Sequence, residues 1–94
     1  MKDSIRKNLD IINLHGTAEE IEEVRLVLLE LAEETEAGIP EDKKHGQLMN
    51  ASCMEWIVEM SREWTEEQEN LLKAFLEQQV QEIISRRERD ITLI

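Results

Sequence analysis

Carboxylates are the side chains most able to do chemistry in this chain, because they are numerous and closely spaced. The 94 residues include 22 Asp and Glu against 11 Lys and Arg, a formal net charge of −11. Two carboxyl groups catalyse glycoside hydrolysis only when they face one cleft and differ in pKa, one of them in an apolar pocket. Here the acids fall on the polar faces of amphipathic segments, which favours solvated carboxylates over a catalytic pair.

Histidine and cysteine are too few and too scattered to indicate a metal or nucleophile site. The chain has only His15, His45 and Cys53, whereas a structural zinc site takes about four ligands at short spacings. Cys53 falls on an apolar seam, where cysteine behaves as a small buried hydrophobe. The three glycines are isolated and form no phosphate-binding loop. The sequence therefore predicts no catalytic residue, no metal site and no cofactor, and we expect a non-enzymatic protein.

The densest acidic segment is also the clearest predicted helix. It begins with a capping box, in which the Thr17 hydroxyl and the Glu20 carboxylate each accept a hydrogen bond from a backbone N–H of the first turn. It is predicted to end near Glu36, because Gly38 and Pro40 follow. Its apolar stripe consists of Ile21, Val24, Leu28 and Leu31, with Val27 beside it. Around that stripe lie eight glutamates and one base, Arg25.

The acidic face of this helix is the predicted partner-binding surface. Glutamates in the first turns complement the positive end of the helix dipole, whereas those in the last turns gain nothing locally. A strongly acidic protein repels nucleic acid and anionic membranes, and it associates faster with a basic protein. We therefore expect a protein partner with a basic surface, no direct nucleic acid and no membrane. The predicted contact residues are Glu22, Glu23, Glu30, Glu33, Glu34, Glu36 and, as an aromatic anchor, Trp64.

A second amphipathic helix is predicted after a polar connection. Its apolar face consists of Leu48, Met49, Cys53, Trp56, Ile57, Met60 and Trp64. A tryptophan on such a seam is more often a core residue than a binding anchor. Trp64, near the helix end, is the better of the two for an exposed anchor, since tryptophan dominates interface hot spots. Core packing is favoured for both rings, and most strongly for Trp56.

A third helix is predicted from a second capping box, formed by Thr65 and Gln68, to about Arg87. Its apolar residues lie on more than one row: Leu71, Leu72, Phe75, Leu76, Val80, Ile83 and Ile84. A protein of this size hides one side of such a helix more easily than two. The excess apolar surface indicates a homodimer through this helix or a groove for a partner.

The two ends of the chain are predicted to form short strands. Residues 8–15 place apolar side chains on both sides of an extended segment that stops before Gly16, and residues 91–94 are rich in β-branched side chains. Two such strands could pair in a small sheet if the helices cover it. The predicted fold is therefore mainly α within an α+β class, as one small acidic domain over residues 1–94. An all-helical bundle with frayed ends is the alternative.

The segment from Ile12 to Ile21 (Ile-Asn-Leu-His-Gly-Thr-Ala-Glu-Glu-Ile) resembles the start of many small phage and prophage proteins. Those open with a short strand, a Gly-Thr turn and then Glu-Glu-Ile into a helix. The resemblance implies a small accessory or regulatory protein of a mobile element, and it implies no catalytic residue.

Taken together, the sequence predicts an inhibitor or regulator that occupies a basic partner surface. In one version the glutamates, about 5–6 Å apart at helical spacing, imitate nucleic-acid phosphates. The alternatives are a homo-oligomeric structural or assembly protein and, third, a small-molecule or nucleotide binder. We expect a cytoplasmic protein, because no signal-peptide core or membrane-length apolar run is present and a lone cysteine fits a reducing compartment.

Overall fold

The computed structural model describes residues 2–35 and 51–92, and within these the side chains of residues 2–35 and 53–89. This part of the chain consists of four helices: α1 (Asp3–His15), α2 (Ala18–Glu33), α3 (Ala51–Ser61) and α4 (Glu66–Thr92). No strand occurs among the described residues. The fold is therefore all-helical there, and the prediction of an α+β fold with a small sheet was wrong.

The predicted N-terminal strand is the second half of α1. Ile5, Leu9 and Ile12 are fully or almost fully buried, and their spacing of four and three residues is that of a helix stripe. The prediction failed because it began at residue 8 and so left Ile5 out of the pattern. Within residues 8–15 alone, the apolar side chains fall on both sides of an extended chain and resemble a strand.

The predicted C-terminal strand was wrong for a different reason. Ile91 and Thr92 continue α4, because no glycine or proline follows Arg87 to end the helix and the residues after it include good helix formers. Leu93 and Ile94 lie outside the described residues. α4 therefore runs 27 residues, about five residues longer than predicted.

Both predicted capping boxes are confirmed. In α2 the Thr17 amide donates to Glu20 Oε1 at 2.8 Å, and the Glu20 amide donates to Thr17 Oγ1 at 3.2 Å. In α4 the Thr65 amide donates to Gln68 Oε1 at 2.8 Å, and the Gln68 amide donates to Thr65 Oγ1 at 3.1 Å. These bonds satisfy backbone donors that a helix start otherwise leaves without partners. α2 ends at Glu33, about three residues before its predicted end at Glu36. The predicted stop signals Gly38 and Pro40 lie outside the described residues, as do Leu48 and Met49.

A connection of two residues, Gly16 and Thr17, joins α1 to α2. The Gly16 amide donates to the Ile12 carbonyl oxygen at 2.7 Å, which closes the end of α1. A Cβ atom on residue 16 would lie 2.5 Å from that same oxygen, closer than real Cβ contacts allow. Glycine is therefore required here by the close approach of the backbone, and the turn stays tight enough to fold α2 back beside α1.

The long helix α4 sets the directions of α1 and α2. At the start of α1, Lys2 Nζ donates to Asn70 Oδ1 at 3.0 Å, and beyond its end Arg86 Nη2 reaches the His15 carbonyl oxygen at 3.4 Å. α1 and α4 therefore run parallel. α2 runs antiparallel to α4, because Glu20 contacts Arg86 near the end of α4 whereas the carboxylate of Glu34 accepts from Gln68 near its start.

One cluster of buried side chains draws on all four helices. α1 contributes Ile5, Leu9 and Ile12, α2 contributes Val24, Leu28 and Ala32, α3 contributes Trp56, Ile57 and Met60, and α4 contributes Leu72, Leu76, Val80 and Ile83, with Trp64 from the connection between α3 and α4. Burial of these apolar side chains is the main favourable term in folding such a chain.

Candidate functional site

The row of α2 that faces α4 begins with glutamates that are already engaged. Arg86 Nη2 contacts Glu20 Oε1 at 3.0 Å, on the same carboxylate that closes the capping box. Burial alone would raise the pKa of Glu20, but the Thr17 amide, the Arg86 guanidinium and the Thr17 hydroxyl together outweigh it and lower that pKa below its ordinary value. Glu20 is thus held ionised by its neighbours.

Two of the predicted contact residues, Glu22 and Glu23, also have partners within the chain. Arg25 forms a bidentate pair with Glu22, one bond of which joins Nε to Oε2 at 2.9 Å. Hydrogen bonding to Arg25 is the main reason that the pKa of Glu22 is lowered, and the same contact raises the pKa of Arg25. Glu23 Oε2 accepts from Gln79 Nε2 at 3.2 Å. In the first half of the acidic face, Glu20 and Glu22 therefore have an arginine partner and Glu23 a neutral one, while Glu19 is exposed and has no partner among the described residues.

The second half of α2 differs in its charge pairing. Glu30 and Glu33 are exposed, and neither has a hydrogen-bond or ion-pair partner among the described residues. The carboxylate of Glu34 accepts from the side-chain amide of Gln68, a neutral donor that adds no positive charge. Glu36 lies outside the described residues. No glutamate at the C-terminal end of α2 therefore has a described cationic partner, and the helix dipole is itself negative there.

A groove opens between this end of α2 and the start of α4. Its volume is about 410 Å³. Its apolar lining consists of Val27, Leu31, Leu71, Leu72 and Phe75. Its polar lining consists of Glu30, Glu34, Glu67 and Gln68. The groove is open to solvent, and Leu71 is 65% exposed there. An apolar floor between acidic margins is a surface suited to a partner that is apolar in the middle and basic at the sides.

The sequence identified part of this surface. It predicted Glu30 and Glu34 as contact residues and the surplus apolar row of Leu71 and Phe75. It missed Val27, Leu31 and Glu67 as neighbours of that row, because only the antiparallel packing of α2 on α4 brings them together. The available signal was the spacing of positions 20, 23, 27, 30 and 34, which places one row of α2 along a single neighbour.

The tryptophans belong to the core. Trp64 is 8% exposed and Trp56 likewise, so little of either ring is available to a partner. The indole Nε1 of Trp64 is buried and has no hydrogen-bond partner. A buried donor without a partner costs free energy, and nothing described around Trp64 explains it. The structure thus favours the core role of Trp64 over the anchor role.

Chemistry at histidine or cysteine finds little geometric support. Arg87 Nη1 lies 3.2 Å from His15 Nδ1, so this ring sits against a guanidinium at the end of α1. Cys53 is buried, and His45 lies outside the described residues. No group of three or more His, Cys, Asp or Glu side chains in residues 2–35 and 53–89 is placed to hold a metal ion.

No described helix is both long enough and apolar enough to cross a membrane. Comparison of the chain with protein families, characterised proteins and solved structures gave no match. The function is therefore inferred from the geometry and charge of the surface formed by α2 and α4.

Proposed function

We propose that this protein is a non-enzymatic protein-binding module that occupies a basic surface of a partner protein through the C-terminal half of α2. One observation carries the proposal: arginines of the same chain pair with two glutamates in the first half of α2, whereas no described cation pairs with a glutamate in its second half. Glu20 and Glu22 contact arginines of the same chain, whereas Glu30 and Glu33 are exposed and have no partner among the described residues.

Free-energy considerations support a partner at this end. Negative charge near a helix C-terminus is unfavourable by roughly 0.3–1 kcal/mol per group, whereas a cation there is favourable by a similar amount. Glu30 and Glu33 therefore cost the isolated chain some stability. Lys or Arg side chains of a partner would remove that cost, and the net charge of −11 would speed the encounter.

An inhibitor or regulator is the role that we propose for such binding. Imitation of nucleic-acid phosphates is the less supported version, because a phosphate-like row needs unpaired carboxylates along the helix. The pairing of Glu20 with Arg86 and of Glu22 with Arg25 removes two members of that row.

Self-association is the second candidate, favoured by the exposure of Leu71 beside the groove. A symmetric dimer would use the same surface on both copies. It would bring the two sets of Glu30, Glu34 and Glu67 together, and like charges across an interface are unfavourable. The charge distribution therefore supports a basic partner over a second copy.

Affinity capture tests the proposal. The tagged protein, a Glu30→Lys/Glu33→Lys variant and a matched Glu55→Lys/Glu59→Lys variant on α3 are each exposed to cell lysate at about 50 mM and about 500 mM salt. We expect proteins with basic surfaces to be retained by the wild type and by the α3 variant at low salt, and to be lost from the α2 variant. Retention of the same proteins by the α2 variant, at both salt concentrations, would overturn the proposal.

A further inference from the structure

The groove between α2 and α4 has an apolar floor, which attraction between opposite charges alone does not require. We infer that it receives the apolar face of an amphipathic α-helix of the partner, whose Lys and Arg side chains lie against Glu30, Glu34 and Glu67. This inference rests on the proposed function and specifies the kind of segment that the partner contributes.

The shape of the site selects a helix as the occupant. The described backbone consists almost entirely of helices, whose N–H and C=O groups are used internally, so no strand edge is available to extend into a sheet. The partner must then bind through its side chains. The lining residues span 27–34 on α2 and 67–75 on α4, about 10–12 Å along each helix at 1.5 Å per residue. Apolar anchors at i, i+3 or i+4, and i+7 of a partner helix cover the same length.

The charges at the groove select a basic helix. Glu30 and Glu67 have no ion-pair partner among the described residues, and Glu34 is bound by the neutral amide of Gln68. Three carboxylates therefore border the apolar floor with no described cation to offset them. A helix with Lys or Arg beside its apolar anchors supplies charges of the opposite sign, whereas a second copy bound symmetrically through this same groove supplies the same sign.

A designed peptide tests the inference directly. The probe is a fluorescent, helix-forming peptide of about 15 residues with leucines at i, i+4 and i+7 and lysines beside them. A scrambled peptide of identical composition keeps the charge but places the leucines on no single face. Binding to the wild-type protein is measured by fluorescence anisotropy. We expect the dissociation constant of the amphipathic peptide to be lower than that of the scrambled one by a factor of about ten or more.

Protein variants locate the site. Leu71→Ser should weaken binding of the amphipathic peptide about tenfold. The matched control Leu14→Ser, also a highly exposed leucine but on α1, should leave it unchanged. Glu30→Gln/Glu67→Gln should weaken binding and reduce its salt dependence, whereas the control Glu55→Gln/Glu59→Gln on α3 should not. Leu71 is exposed, so its replacement is compatible with folding, and circular dichroism checks this.

Two results would overturn the inference in distinguishable ways. If the amphipathic and scrambled peptides bind equally and Glu30→Gln/Glu67→Gln weakens both, the partner helix is ruled out. The proposed function, binding through an acidic surface, would then still stand. Binding of neither peptide would remove both. A stable dimer of the protein alone, dissociated by Leu71→Ser in sedimentation experiments, would assign the groove to a second copy instead.

Discussion

The two halves of α2 differ in how many of their glutamates have an arginine partner. At the N-terminal half, Glu20 pairs with Arg86 and Glu22 with Arg25, while Glu23 accepts from the neutral amide of Gln79. At the C-terminal half, Glu30 and Glu33 have no hydrogen-bond or ion-pair partner among the described residues, and apolar side chains line a groove next to Glu30. Acidic density alone therefore does not mark a binding surface. The second half is distinguished by carboxylates that have no described cationic partner and that lie beside an exposed apolar groove.

The largest expected difference is in the free energy of unfolding, between replacement of a buried leucine of α2 and of an exposed leucine at the groove. Leu28 of α2 is 0% exposed, whereas Leu71 at the groove is 65% exposed. We expect Leu28→Ala to lower the free energy of unfolding by about 2–5 kcal/mol, because it leaves a cavity in the core. Leu71→Ala should change it by less than about 0.5 kcal/mol. Urea denaturation of both variants measures this, and a large loss in Leu71→Ala would show that the groove is closed by the fold itself.

The next largest effect is on the pH dependence of stability, which should differ between glutamates in the two halves of α2. Because the folded-state pKa of Glu20 is lowered from its ordinary value of 4.5, its contribution to stability is present above about pH 4.5 and is lost as the pH falls through the lower folded-state value. Glu20→Gln should therefore destabilise the protein at pH 7 by up to about 1 kcal/mol.

The difference between Glu20→Gln and the wild type should shrink as the pH is lowered from 7 through the folded-state pKa of Glu20, because the wild-type carboxylate is then itself neutralised. Thermal unfolding at a series of pH values from 7 downwards provides the measurement. Glu33→Gln is the matched control from the other half, since it has no described partner to lose at pH 7. A constant difference between Glu20→Gln and the wild type across pH would contradict the role of the Arg86 pair.

The smallest expected effect is a change in the free energy of unfolding that has opposite signs in the two halves of α2. Lysine at position 33 lies near the negative end of the α2 dipole, so Glu33→Lys should raise the free energy of unfolding by about 0.3–1 kcal/mol. Glu22→Lys removes the Arg25 pair and places a cation nearer the positive end, so it should lower that free energy. Denaturant titration of both variants compares the halves directly. The same sign in both would show that overall charge, rather than position, decides the effect.

Local sequence signals were sufficient to predict where α2 and α4 begin, but they were insufficient to predict that α1 is a helix. The capping boxes at Thr17 and Thr65 depend on residues three positions apart, so the sequence predicted them correctly. The stripe of α1 becomes clear only when Ile5 is included and when α4 is present to bury it. The groove is still less local, because it exists only once α2 lies antiparallel to α4. Of its five apolar lining residues, three lie on α4, whose apolar surplus the sequence predicted, whereas Val27 and Leu31 on α2 could not be identified as their neighbours.

The parallel pairing of α1 with α4 has a consequence for the kinetics of folding. Lys2 contacts Glu69 and Asn70, which are 67 and 68 positions away in the chain. Closing a loop of that length costs more conformational entropy than closing the short loops of a simple helical hairpin. Contacts between residues so far apart in sequence slow folding relative to contacts within and between adjacent helices. During synthesis α4 cannot cover the apolar stripe of α1 until residues 66–92 have been made, so the nascent chain leaves the α4-facing side of that stripe exposed while α2 and α3 are synthesised.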